Sequence, residues 1–255
     1  MTTGALIFAF NNEQIDYVSM ARWSAGNIER YLGIPTHIVT DQEVAITGTN
    51  DRWFEDFGTV VTWHNESRVN AYELSPWDQT LVLDADYVVA SSQLRTILDS
   101  NQDFLAHRWA YDITGTNDFD ELNHFGDNRM PMWWATVMMF RRGDHARLIF
   151  EAMTMIRNNW THYKRLYKNK SPSYRNDHAL SIALGIVNGH TQNYPGIPWN
   201  LASLTPEHRL TQVDTDEYRV DFVNRGQQAR WIRLRNQDFH AMGKRHLGEI
   251  VANNS

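Results

Sequence analysis

The chain has 255 residues, of which 42% are hydrophobic, 12% aromatic and 21% charged; this composition is globular and excludes a disordered or coiled-coil protein. The net charge of −6 argues against a wholly basic nucleic-acid-binding protein, and the lack of cysteine excludes disulfides and thiolate metal sites. This length suits one substantial core. No segment reaches the roughly 20 apolar residues that span a bilayer, and no secretory signal begins the chain, so we expect a soluble, cytoplasmic protein. The sequence leaves its oligomeric state open.

The first 40 residues have the pattern of a βαβ unit. The apolar run at residues 5–10 predicts a buried strand, and residues 37–40 predict a second one. Between them, apolar residues recur at every third or fourth position over residues 15–32, which predicts a helix that Gly33 and Pro35 end. A strand, helix and strand of these lengths indicate an α/β fold with parallel strands flanked by helices.

The same patterns continue along the chain. They predict strands at residues 58–63, 80–89, 102–107 and 134–140, and helices at 68–74, 91–98, 144–157 and 177–186, with Ser91 as an N-cap. Residues 218–223 and 229–234 alternate and predict a hairpin. Residues 111–129 form a long acidic segment that we interpret as a functional loop.

Asp84 and Asp86 follow an apolar segment, residues 81–83, that predicts a buried strand. In open α/β sheets, ligands bind at the carboxyl ends of strands. Because residues i and i+2 of a strand share a face, the two carboxylates are expected to converge on one cation. Mg²⁺ or Mn²⁺ would suit these oxygen ligands and would bridge the phosphates of a diphosphate. The alternative is a surface turn with two solvated aspartates.

Residues 81–89, Leu-Val-Leu-Asp-Ala-Asp-Tyr-Val-Val, resemble the D-x-D strand of the GT-A glycosyltransferases, most nearly the glycogenin-like family 8. Three later segments resemble motifs of that family in the same order: 136–140 its V-M-x-F strand, 176–180 its D-Q-x-x-L helix start, and 240–244 its H-x-x-G-x-x-K closing motif. The resemblance implies a GT-A type, Rossmann-like fold with a mixed, mostly parallel sheet in a single domain. We place the nucleotide-sugar-binding core at residues 1–205 and a C-terminal hairpin and closing segment at residues 206–255.

The resemblance implies a metal-dependent glycosyltransferase that moves a sugar from a nucleotide-diphosphate donor, usually a UDP-sugar, to a hydroxyl group with retention. The implied metal ligands for Mn²⁺ or Mg²⁺ are Asp84, Asp86 and His240. The diphosphate would lie against Ala85 and against Gly243, where glycine lets the backbone approach. Lys244 directly follows Gly243 instead of lying three positions on, so either Lys244 or Arg245 would pair with a phosphate.

The donor's base and ribose would bind at the loop after the first strand. Stacking and hydrogen-bonding groups are available there from Phe10, Asn11, Asn12 and Tyr17. Their alternative role is an ordinary strand-to-helix turn. Arg68 is a further candidate for a phosphate contact, or else a solvated residue on a helix.

Two aspartates are candidates for a direct role in catalysis. A retaining enzyme requires no strong general base, and Asp177 would then orient or electrostatically support the transferring sugar. An inverting enzyme would need a base, and Asp127 and Asp177 are the two candidates.

The acceptor is open: a glycan, a small molecule, a protein or a nucleic acid with modified bases. Residues 160–175 interleave five basic residues with four aromatic ones, a pattern that suits phosphate contacts, base stacking or sugar stacking, but also a solvated helix face with aromatics turned inward. A second basic stretch, residues 225–245, is expected to serve the donor diphosphate.

Two other classes compete with the glycosyltransferase. A nucleotidyltransferase also uses acidic metal ligands on an α/β sheet, but no Gly-rich basic loop follows Phe10. A non-catalytic carbohydrate-binding protein would suit the ten tryptophans but does not need Asp84, Asp86 and His240 together.

Overall fold

The computed structural model describes residues 1–41, 59–60, 65–191 and 194–254. The described strands are Thr3–Phe8 (β1), Thr36–Thr40 (β2), Thr59–Val60 (β3), Gln79–Asp84 (β4), Tyr87–Val88 (β5), Phe104–His107 (β6), Ala110–Asp112 (β7), His124–Phe125 (β8), Met130–Pro131 (β9), Trp134–Arg141 (β10), Leu201–Leu204 (β11), Arg209–Asp214 (β12), Glu217–Val223 (β13), Ala229–Arg235 (β14) and Phe239–Ala241 (β15). The described α-helices are Tyr17–Leu32 (α1), Ala71–Leu74 (α2), Arg95–Leu98 (α3), Asp144–Asn158 (α4), Trp160–Leu166 (α5), Asn176–Val187 (α6) and Lys244–Asn253 (α7). A 3₁₀ helix, Asn65–Asn70, precedes α2.

The central sheet has six strands in the order β3-β2-β1-β4-β10-β6. β1 is parallel to β2 and β4, while β10 is antiparallel to both of its neighbours, β4 and β6. Strands β1, β2 and β4 are apolar and almost wholly buried, as expected when helices cover both faces of a sheet. The predicted mixed, mostly parallel α/β sheet is therefore confirmed. The predicted strand at 58–63 lies largely outside the described residues.

Helix α1 begins two residues later than predicted, at Tyr17. The side chain of Asp16 accepts a hydrogen bond from the Ser19 N–H at 3.0 Å and caps the helix there. Gly33 ends the helix in the left-handed conformation, with φ of 62°, which glycine adopts without strain.

The strand predicted at residues 80–89 was wrong as a single element. β4 ends at Asp84, the chain turns at Ala85 and Asp86, and β5 continues in a second sheet of order β5-β15-β11-β7. β5 pairs antiparallel with β15 and places His240 opposite Tyr87. This pairing brings a histidine from the C-terminal part of the chain beside the paired aspartates.

Two further predictions about local structure were wrong. Ser91 does not cap a helix: its Oγ accepts from the Gln93 N–H within a turn, and α3 starts only at Arg95. The segment 111–129 is not entirely loop, because it contains the end of β7 and the strand β8.

The predicted hairpin at residues 218–234 is confirmed as β13 and β14, and β12 extends it into a three-stranded antiparallel meander. Leu210, Tyr218, Val220 and Leu234 of the meander face the core, where Tyr218 packs edge-on against Phe239 with ring centroids 5.3 Å apart. Within the described ranges, none of the helices combines the length and apolar character needed to cross a membrane.

Candidate functional site

A cavity of about 650 Å³ opens at the carboxyl ends of β1 and β4, within the size range of small-molecule sites. Phe8 and Asp84, the last residues of these strands, lie opposite each other in register and both line it. Eleven of the predicted site residues line the same cavity: Phe10, Asn11, Asn12, Tyr17, Arg68, Asp84, Ala85, Asp86, Asp177, His240 and Lys244. The structure thus brings together residues that lie far apart in the sequence.

Asp84, Asp86 and His240 are arranged so that one ligand atom from each lies within 4.8 Å of the others. The turn at Ala85 and Asp86, rather than strand alternation, brings the two carboxylates together. The Asp86 carbonyl accepts a hydrogen bond from the Ala241 N–H at 2.9 Å, which fixes His240 in place. Among the described residues, Nδ1 of His240 is buried without a hydrogen-bond partner. Two carboxylates and an imidazole fit a divalent cation such as Mn²⁺ or Mg²⁺.

Asp86 is 4% exposed and lies between two basic side chains. Its Oδ1 is 3.4 Å from Nε2 of His240, and its Oδ2 is 3.0 Å from Nζ of Lys244. Burial would raise the pKa of Asp86, but His240 and Lys244 outweigh it and hold that pKa well below the usual range. The Asp86 charge in turn raises the pKa of Lys244 despite burial of the amine. Both groups are therefore charged at neutral pH.

Arg68 is 7% exposed and pairs with Asp84. It also donates to the carbonyl of Ala135 at 3.2 Å. Burial lowers the pKa of Arg68, and the carboxylates of Asp177 and Asp86 act against that shift. A buried arginine beside the carboxylates of Asp84 and Asp86 keeps a cation in the cavity wall.

Asp177 lies in the first turn of α6, where the helix dipole favours a carboxylate. Its Oδ1 accepts from the Ala135 N–H at 2.9 Å, and its Oδ2 pairs with Arg175 at 2.8 Å. Burial would raise its pKa, but Arg175, the Ala135 N–H and Arg68 together lower it. Asp177 is thus a fixed carboxylate and a weak base.

The loop after β1 is organised by its own asparagines. Asn11 accepts from the Val18 N–H and donates to Asp16, both at 2.9 Å, while Asn12 accepts from the backbone of Gln14 and Ile15. Both side chains line the cavity, but these hydrogen bonds serve the strand-to-helix turn. Tyr17 lies at the start of α1, and burial raises the pKa of its phenol.

Three predicted residues are absent from the cavity lining. Asp127 is exposed on the surface and pairs with Lys170 at 3.0 Å. Arg245 has an 87% exposed side chain and pairs with Glu249, so Lys244 rather than Arg245 reaches the cavity. Gly243 precedes α7 with φ of −78°, which other residues also adopt, and a Cβ there would meet Pro206 at an ordinary 3.4 Å.

Several lining residues were not predicted as site residues: Phe8, Trp134, Thr136, Tyr174, Arg175, Asn176, Pro206 and Met242. Tyr174 to Asn176 directly precede Asp177, and Met242 lies inside the closing motif, so proximity to a motif was a signal for them. Pro206 carries no comparable signal.

The two basic stretches of the sequence lie in different surroundings. In residues 160–175, Trp160 stacks on buried His178 with centroids 6.1 Å apart, and Tyr163 and Tyr167 also pack against the core. These aromatic side chains therefore turn inward, which is one of the two arrangements that the sequence allowed for residues 160–175. In residues 225–245, Lys244 is the basic side chain that lines the cavity, whereas the arginines of residues 225–235 belong to the meander. The expectation that this whole stretch serves the diphosphate was therefore wrong.

No protein-family model matches the sequence, and no curated protein matches it significantly. Solved structures resemble it at low identity. The glycosyltransferase GlyE of Streptococcus pneumoniae TIGR4 is 13% identical, with a TM-score of 0.42 over 78% of this chain and 46% of that one. LgtC, a galactosyltransferase solved with donor and acceptor sugar analogues, is 15% identical, with a TM-score of 0.45 over 71% of this chain and 70% of that one. A protein assigned as a glucose-1-phosphate thymidylyltransferase, from Bacillus anthracis, is 10% identical, with a TM-score of 0.40 over 77% of this chain and 100% of that one. This chain spans about half the length of GlyE, and assigning a function depends on the side chains of the cavity.

Proposed function

We propose that this chain is a glycosyltransferase that depends on Mn²⁺ or Mg²⁺ and takes its sugar from a nucleotide-diphosphate donor. One observation carries the proposal: Asp84, Asp86 and His240 converge in one cavity with the cations of Arg68 and Lys244. Hard metal ligands next to fixed positive charges suit a diphosphate that must be held and then released.

The chemistry follows from where negative charge grows. When the bond between the sugar and the diphosphate breaks, the diphosphate gains charge while the sugar becomes oxocarbenium-like. A divalent cation held by Asp84, Asp86 and His240 would stabilise that leaving group. Arg68 and Lys244 supply two further charges from the chain, and burial strengthens their effect because water screens them less.

We propose retention of anomeric configuration, as in the glycogenin-like family 8. Asp177 supports this because its depressed pKa and its two hydrogen-bonded oxygens make it a poor general base. Asp127, the other candidate base, lies outside the cavity lining. Asp177 would instead orient a hydroxyl of the transferring sugar or stabilise its positive charge.

We propose UDP as the carrier, with the base near Phe10 and Tyr17 and the diphosphate near Ala85 and Lys244. Because Asn11 and Asn12 are engaged in their own turn, the base would be bound mainly by ring contacts and backbone groups. The acceptor would present a hydroxyl from the side of Trp134, Tyr174 and Arg175.

The test is to incubate the protein with Mn²⁺ and a panel of nucleotide sugars, and to follow release of nucleoside diphosphate together with the thermal midpoint of unfolding. We expect one donor both to raise the midpoint and to be hydrolysed slowly without acceptor. In parallel, a nucleoside triphosphate with a sugar 1-phosphate is assayed for pyrophosphate, the product of a nucleotidyltransferase.

Release of pyrophosphate without any release of nucleoside diphosphate would assign the chain to the nucleotidyltransferases. Absence of both products, and of any donor-induced shift in the presence of Mn²⁺, would refute the proposal and favour a non-catalytic carbohydrate-binding protein.

A further inference from the structure

The meander of β12, β13 and β14 has one face that nothing in the described structure covers. Tyr218, Val220 and Leu234, all at even-numbered positions, are buried against the core. The odd-numbered residues of 217–223 and 229–235 form the opposite side, which we call the outer face. Trp231 and Val223 on this face are each 55% exposed. More than half of Trp231 is therefore open to a ligand.

Two arginines hold the Trp231 ring in place. The guanidinium carbons of Arg219 and Arg233 lie 5.3 and 5.9 Å from the ring centroid. These arginines are directly opposite each other in register, so both lie on the same side of Trp231 along the strands. On the other side are Ala229 and Val223, which are both exposed and shorter than arginine. The ring is therefore held by two arginines while more than half of Trp231 stays exposed, so a ligand can pack against it.

The charges of this region differ from those of the whole chain. Residues 209–235 contain six arginines and four acidic residues, whereas the chain has a net charge of −6. Arg219 pairs with Asp221, while Arg233 and Arg235 share the single carboxylate of Glu217 at 2.9 and 3.6 Å. One carboxylate cannot neutralise two guanidinium groups. Arg219 and Arg233 are also like charges directly opposite each other, an arrangement that costs stability in a sheet.

We propose that the outer face of the meander binds a saccharide chain that carries acidic groups. The open face of Trp231 would pack against the C–H groups of a sugar ring, and Arg233 and Arg235 would pair with a carboxylate or phosphate of the saccharide. Asp221 would accept hydrogen bonds from hydroxyl groups, which sugars have in abundance.

A saccharide fits better than a single-stranded nucleic acid. Nucleic-acid platforms stack successive bases on several aromatic side chains, and Trp231 is the one aromatic residue among the described residues of the outer face. If the bound saccharide is the acceptor, that role rests on the proposed function, whereas binding itself does not.

The experiment is native affinity electrophoresis in gels that contain polygalacturonic acid, with pullulan as the neutral polysaccharide and a 20-residue oligothymidylate as competitor. We expect retardation by polygalacturonic acid, with binding weakened about tenfold in Trp231→Ala and largely retained in Trp231→Phe, because an aromatic face remains. Trp109→Ala is the matched control: Trp109 is 38% exposed but lies next to β7, outside the meander, and its loss should leave retardation unchanged.

Retardation by pullulan alone, no retardation at all, or equal retardation of the wild type and Trp231→Ala would each overturn the proposal. So would displacement by the oligothymidylate at concentrations that match the acidic saccharide. Release of nucleoside diphosphate is measured in the same samples. Trp231→Ala should leave donor hydrolysis unchanged, and Asp86→Asn should leave retardation unchanged, so failure of saccharide binding is distinguishable from failure of the glycosyltransferase assignment.

Discussion

Two buried aspartates, Asp86 and Asp112, each lie next to a histidine but have opposite surroundings. Asp112 is 5% exposed and accepts six hydrogen bonds, all from neutral groups of Thr114, Thr116 and Asn117 in its own loop. Asp86 is 4% exposed, and its ionic partners, His240 and Lys244, come from a segment more than 150 positions away.

The histidines differ in the same way. His208, beside Asp112, has Nδ1 at 3.1 Å from Thr205 Oγ1 and Nε2 at 3.0 Å from Thr116 Oγ1, so both ring nitrogens are engaged. His240 has a buried Nδ1 with no partner among the described residues. The polar groups of the Asp112 cluster are satisfied by one another, which suits a structural role. The Asp86 cluster depends on charged groups around a cavity and is suited to exchange partners with a ligand.

The largest effect is expected at the Asp86 cluster. Asp86→Asn keeps the size of the side chain but removes the charge of a proposed metal ligand, and we expect release of nucleoside diphosphate to fall about 100-fold or more. The measurement is the initial rate at saturating Mn²⁺, and Asp99→Asn, an exposed aspartate outside the cavity lining, should keep wild-type activity. Undiminished activity in Asp86→Asn would contradict the difference between the two clusters, because Asp86 would then have a structural role like that of Asp112.

The Asp112 cluster should show the reverse result. Asp112→Ala leaves the N–H groups of Thr114, Thr116 and Asn117 without their acceptor, and we expect the free energy of unfolding to fall by about 3 kcal/mol. Urea denaturation measures this loss. Donor hydrolysis by the remaining folded protein should stay close to that of the wild type. A variant with full stability but no activity would show that Asp112 belongs to the catalytic site.

Asp238 is a third buried carboxylate, and it has too few hydrogen-bond donors around it. The Ala90 N–H donates to Oδ1 at 2.8 Å, but Oδ2 is buried with no partner among the described residues. Burial raises its pKa to about 6, against the opposing effect of the Ala90 and Ser91 hydrogen bonds. The folded state therefore keeps a proton that the unfolded chain releases near pH 3.9.

Because folding raises the pKa of Asp238, this carboxyl contributes most to the free energy of unfolding below about pH 4. That contribution is lost as the pH rises to about 6. Asp238→Asn has no proton to lose, so it should be more stable than the wild type at pH 8 by about 2 kcal/mol. The free energies of unfolding of the wild type and Asp238→Asn should become equal towards pH 4. Parallel stability curves across this range, measured by urea denaturation, would contradict a raised pKa for Asp238.

The sequence predicted the sheet well because apolar patterning is local. The runs that became β1, β4 and β10 are almost wholly buried, and their periodicity requires no knowledge of distant partners. It predicted most of the cavity lining because the motifs lie at strand ends, where the sheet topology collects them.

The sequence failed where partners decide the structure. The turn at Ala85 and Asp86 follows from the pairing of β5 with β15, more than 150 positions away, so local patterning favoured one continuous strand. Asp127 looked like a candidate base, but its pairing with Lys170 at the surface depends on the packing of a loop. Asn11 and Asn12 line the cavity, and their hydrogen bonds to neighbouring backbone groups match the alternative role in the strand-to-helix turn, so donor binding by them stays a prediction.

The smallest effect concerns the adjacent cations Lys244 and Arg245. Nζ of Lys244 is 3.0 Å from Asp86 and lines the cavity, while the Arg245 side chain is 87% exposed and pairs with Glu249. Removing a partly buried cation from the leaving group should cost about tenfold in rate, or about 1.4 kcal/mol, whereas an exposed pair contributes little. We therefore expect Lys244→Met to lower kcat/KM for donor hydrolysis about tenfold and Arg245→Met to change it less than about twofold.

The two methionine variants form a matched pair, since each loses one cation from the start of α7. Saturation curves against the donor separate the explanations. A decrease mainly in kcat would mean that Lys244 stabilises the departing diphosphate more than it stabilises the bound donor. An increase in KM alone would mean that Lys244 stabilises the bound donor and the departing diphosphate equally. Equal losses in Lys244→Met and Arg245→Met would contradict the assignment, because the diphosphate would then lie towards the solvent-exposed side of α7 rather than in the cavity beside Asp86.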